Sequence, residues 1–133
     1  MIGRDVLARD LLIVSCAVSA GIHAALVPEH LEEGRPAGVA FAVSAVLLAA
    51  AAVGLTRRVS PALLGATAAL LVGLILSYLL AVTTGVPVLH PAVEPVEGLA
   101  LFTKAVELVG VVAAVALLEP APILAGRPKG TLA

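Results

Sequence analysis

Imidazoles and carboxylates are the side chains of this sequence best suited to chemistry. The chain has three histidines, His23, His30 and His90, with Glu29, Glu32 and Glu33 around the second and Glu94 and Glu97 after the third. If Pro28 starts a short helix, Glu29 and Glu33 share a face at four residues' spacing, and His30 stands three before Glu33. His23 then approaches from below. Mixed nitrogen and oxygen donors of this kind suit Zn, Cu, Fe or Mn, with open positions left for water or substrate. The expected ligand set is His23, Glu29, His30, Glu33, His90 and Glu97, serving as a transition-metal site or a proton relay. The spacing is not that of an H-E-x-x-H motif. A competing reading makes these residues a solvated acidic loop in which His30 pairs with a neighbouring glutamate.

A second set of polar residues lies inside apolar sequence. Lys104 and Glu107 stand three apart in the run from Gly98 to Leu118, where an ionisable group costs roughly 3 kcal/mol unless it is paired or hydrated. They are expected to pair, on the helix side that also carries Glu97. Ser15, Ser19 and His23 recur every four residues and form a stripe suited to face other helices rather than lipid. If the first and last apolar runs are neighbours, the two polar faces meet. Such a meeting would serve as a proton or ion path, as a polar ligand pocket, or as an internal ion pair that holds the helices in register.

Membrane helices are the elements that must position these groups. The 133 residues are 61% hydrophobic and 13% charged, with a mean hydropathy of +1.14; a soluble domain is about half apolar and a quarter charged. Apolar runs cover residues 11–27, 37–55, 62–82 and 98–118, each near the ~20 residues that a helix needs to cross ~30 Å of hydrocarbon. Barrel strands would alternate polar and apolar positions, and these runs do not. The predicted fold is therefore all-α, a compact four-helix transmembrane bundle over residues 1–118 with short loops. Residues 119–133, with Pro120, Pro122 and Pro128, are expected to form an irregular tail. The first run exceeds the ~7–15 apolar residues of a signal peptide and is read as a retained span. Ser60-Pro61 has the form of a helix cap followed by proline at the first helical position.

Arg4, Arg9, Arg57, Arg58, Arg127 and Lys129 all fall on one side of this topology and Arg35 on the other. The positive-inside rule then places both termini and the middle connection in the cytoplasm of a multi-pass plasma-membrane protein, and the His/Glu residues outside. A formal net charge of -1 with no basic cluster argues against a nucleic-acid partner. Cys16, the single cysteine, reads as a small buried residue.

Gly65, Ala69, Gly73 and Ser77 recur every four residues and form a small-residue stripe, expected to let another helix approach closely in a tight bundle. The aromatic residues Phe41, Tyr78 and Phe102 are too few for interfacial belts.

The segment from His23 to Glu33, with Glu94-Pro95-Val96-Glu97 before the last run, resembles small four-span membrane proteins of high-GC actinobacteria. The resemblance covers most of the chain; it implies the same topology and a bacterial membrane, and supplies no reaction. Two functions follow from the residues: an extracytoplasmic His/Glu site for a metal or for protons, or a non-catalytic accessory subunit packing against a larger membrane complex. Transport would require more helices than one copy offers, so it would call for a homo-oligomer.

Overall fold

The computed structural model describes residues 2–119; the expected tail beyond Glu119, with Arg127 and Lys129, lies outside them. Four helices form, α1 (Ile2–Glu33), α2 (Arg35–Arg57), α3 (Pro61–Thr83) and α4 (Gly98–Leu118), and all four are long and apolar enough to cross a membrane. The protein is an all-α bundle of membrane-spanning helices, and among the described residues the only β feature is an isolated bridge between Val86 and His90.

Local chemistry sets the helix ends. The Ser60 side chain accepts from the Leu63 N–H at 3.2 Å, with Pro61 opening α3. At α1 the structure departs from the expected break, because Pro28 lies inside a continuous 32-residue helix. Proline removes one N–H and leaves the carbonyl a turn earlier without its donor. The helix nonetheless continues to Glu33, so Glu29, His30 and Glu33 ride on the same rigid element as His23. At ~1.5 Å per residue α1 is about 48 Å long, well beyond the hydrocarbon thickness.

A single residue, Gly34, separates α1 from α2. That hairpin closes tightly, since a side chain at Gly38 would collide with Leu31. Spatially the helices run α2, α1, α4, α3, with α1 packed along α2 and α4, α3 packed on α4, and little contact between α2 and α3. Leu12, Cys16, Leu48, Leu55, Leu71 and Ala114 form the fully buried centre.

The small-residue stripe on α3 does not build this core. Gly65, Ala69, Gly73 and Ser77 are all exposed, and a side chain added at Gly65 or Gly73 would meet nothing within 4 Å. Close approach depends instead on Gly110 of α4, where an added Cβ would come within 2.8 Å of Leu71 and 3.0 Å of Ser15. At the end of the bundle opposite the histidines, Arg9 donates to the carbonyls of Leu55 (3.2 Å) and Thr56 (2.9 Å), satisfying the last turn of α2.

Candidate functional site

Two polar groups occupy the seam and mouth of the bundle. Deep in the seam between α1 and α4, Lys104 Nζ lies 2.6 Å from Glu107 Oε2, and Ser19 Oγ donates to Glu107 Oε1 at 2.7 Å. Glu107 is fully buried, so both carboxylate oxygens receive a donor where an unpaired charge would be costly. Lys104 also reaches the Leu74 carbonyl at 3.4 Å and lies 5.8 Å from the centre of the Tyr78 ring. His23 Nδ1 is 2.8 Å from the Ser19 carbonyl; because a carbonyl only accepts, that nitrogen carries the proton. Ser15, Ser19 and His23 are all buried, on the side of α1 that meets α4.

At the mouth, Glu33 Oε2 stands 3.9 Å from His30 Nε2 and 3.7 Å from His90 Nε2, and His90 Nδ1 is 3.5 Å from Glu94 Oε1. His90 is brought over the end of α1 by the connection between α3 and α4. That connection turns at Gly85, whose φ of +77° suits glycine, and whose position admits no side chain because one would strike the Pro91 carbonyl. The Glu94 N–H donates to the Ala81 carbonyl at 2.9 Å, which ties the connection to the end of α3.

Between mouth and seam lies a cavity of about 350 Å³ lined from all four helices and the α3–α4 connection. His23, Glu29, His30, Glu33, His90 and Glu97 all line it, as does Lys104. The six residues therefore surround one space, but they are not arranged as metal ligands. Among the described residues, no group of three or more His, Cys, Asp or Glu could hold a metal ion.

All three imidazoles turn Nδ1 toward backbone carbonyls, of Ser19, Leu26 and Ala92, which leaves Nε2 as the free ring nitrogen of each. The rings of His30 and Phe41 stack at 3.7 Å, and those of His23 and Phe41 lie 5.2 Å apart, so an aromatic ring stands between the two histidines. The expected Zn, Cu, Fe or Mn cofactor is accordingly withdrawn. The proton relay is overturned with it: Ser19 bonds Glu107 through its hydroxyl and His23 through its backbone carbonyl, and among the described residues no bond continues from His23 to the mouth.

Phe41 and Tyr78 were missed as cavity residues. Their scarcity was the available signal, since two of only three aromatic rings in the chain face the same space. The Tyr78 hydroxyl is buried without a hydrogen-bond partner among the described residues.

Fold and site together define a multi-pass membrane bundle with a cavity at one end, largely apolar and rimmed by carboxylates and imidazoles. No family model, curated protein or solved structure matches the chain.

Proposed function

We propose that this protein is a non-catalytic subunit of a larger membrane assembly, joined to a transmembrane helix of its partner through the outward face of α3. The observation that carries this reading is the exposed stripe Gly65, Ala69, Gly73 and Ser77, with open space before both glycines. Against lipid such a stripe gains nothing over larger apolar residues. Against another helix it allows close backbone approach, which is how membrane helices associate. The buried polar residues fit the same reading, because Lys104, Glu107 and Ser19 are bonded to one another in a manner that holds α1 on α4.

The proposal includes an orientation. Arg4, Arg9, Arg57 and Arg58 belong to the cytoplasmic end and Arg35 to the opposite one, following the bias of basic residues; the cavity then opens outward. Cysteine labels at Gly34 and at Val88, which is 83% exposed, should react from outside intact cells, and one at Thr56 only after the inner face is opened. Reverse labelling would overturn the orientation.

For the partner, the test is gentle solubilisation from the native membrane followed by identification of what co-purifies. A defined membrane protein should be retained by the unaltered chain and lost from Gly73→Leu, whose own melting temperature is unchanged. Cysteine at Ala69 should cross-link to that partner. Cross-linking only to a second copy, or retention of the partner by Gly73→Leu, would sink the reading.

A further inference from the structure

The cavity contains a group that the packing role leaves unused. His23 is only 6% exposed, and with its Nδ1–H committed to the Ser19 carbonyl, Nε2 carries a lone pair. Among the described residues nothing donates to that nitrogen. His23 lines the cavity, so water or a ligand hydroxyl in that space can supply the donor that this acceptor lacks.

The rest of the lining says what else the occupant carries. His30 lies seven residues beyond His23 on the same helix, about 10 Å further toward the mouth, and Phe41 stands between the two rings. The mouth presents Glu29, Glu33, Glu94 and Glu97, while Lys104 is the only Lys or Arg lining the cavity and is already paired with Glu107. A concave, largely apolar site rimmed by carboxylates concentrates cations. Anions are repelled there, and a purely apolar occupant leaves the His23 acceptor unmatched.

We propose that this cavity binds a small organic ammonium ion bearing a hydroxyl at its far end. The ammonium sits among the rim carboxylates, the apolar middle lies against Phe41, and the hydroxyl donates to His23 Nε2. A volume of about 350 Å³ is near the lower end of small-molecule sites, ~300–1,000 Å³, and sets the ligand's size. Of the α3 stripe proposed for the partner helix, Ser77 also lines this cavity, whereas Gly65, Ala69 and Gly73 do not.

The test is calorimetry on the purified full chain in detergent with tyramine, which has an ammonium and a phenolic hydroxyl at opposite ends of one ring. Phenethylammonium lacks the hydroxyl and 4-methylphenol lacks the ammonium. Tyramine should bind one to one, with each analogue weaker by roughly tenfold. Replacing Glu33 and Glu97 together by Gln should weaken tyramine and phenethylammonium alike by roughly tenfold, leaving 4-methylphenol unaffected. His23→Ala should abolish the preference for tyramine over phenethylammonium. Should that variant fail to fold, the analogue comparison on the unaltered chain still decides. Ala40→Phe, which fills the cavity without touching a polar group, should eliminate binding while the protein melts normally. Absence of tyramine binding up to about 10 mM, equal binding of 4-methylphenol, or binding that survives Ala40→Phe would each overturn the proposal, the last by revealing partition into detergent.

Discussion

The seam between α1 and α4 and the gap between α2 and α3 are both rich in small residues, yet one closes and the other does not. At the seam, Ser19 and Glu107 bond across the interface at 2.7 Å, and Gly110 lets Ser15 come within touching distance. At the gap, both serine hydroxyls are spent on their own helices: Ser44 donates to the Ala40 carbonyl and Ser77 to the Gly73 carbonyl, each at 2.8 Å. In lipid no hydrophobic force drives helices together, so packing and bonds across an interface both count, and of these two surfaces only the seam has such a bond among the described residues. The unclosed gap becomes the cavity, and the unmatched face of α3 remains open to a partner.

The largest test of this contrast removes the charge pair. Glu107→Leu leaves the part-buried Lys104 ammonium without its carboxylate and should cost up to about 3 kcal/mol, read as loss of folded protein or a fall in melting temperature. Replacing Lys104 by Met as well should recover most of that loss. Equal damage from the single and double variants would mean that the seam depends on shape rather than on pairing.

Glycines supply the next comparison. Gly110→Leu drives a side chain into Leu71 and Ser15 and should destabilise by about 1–3 kcal/mol, whereas Gly73→Leu, facing open space, should stay within about 0.5 kcal/mol. Similar melting shifts for the two would erase the distinction between closed seam and open face. The serines give the smallest effect. Ser19→Ala deletes a bond between helices and should cost on the order of 0.6–1.7 kcal/mol; Ser44→Ala deletes one within a helix and should change thermal stability little. A larger loss at Ser44 would show that bonds within a helix matter to this bundle as much as bonds between helices.

Much of this molecule follows from spacing along a helix. Runs of apolar residues determine four spans, since the backbone in lipid must satisfy itself and length then sets the count. Helical geometry puts Ser15, Ser19 and His23 on one face, and puts Lys104 within reach of Glu107, before any neighbour is known. Relations between helices are different in kind. That the stripe from Gly65 to Ser77 points outward while the single Gly110 takes the close contact, that Pro28 stays inside α1, and that Phe41 stands between His23 and His30 all depend on which helices are neighbours and how they are rotated. Periodicity names a face but not what it meets, and a small-residue face looks the same in sequence whether its partner is in the chain or beyond it. The metal expectation failed on the same point: sequence placed the donors at one mouth, and only the tertiary structure decided that Phe41 stands between His23 and His30 and that, among the described residues, no three donors form a ligand group.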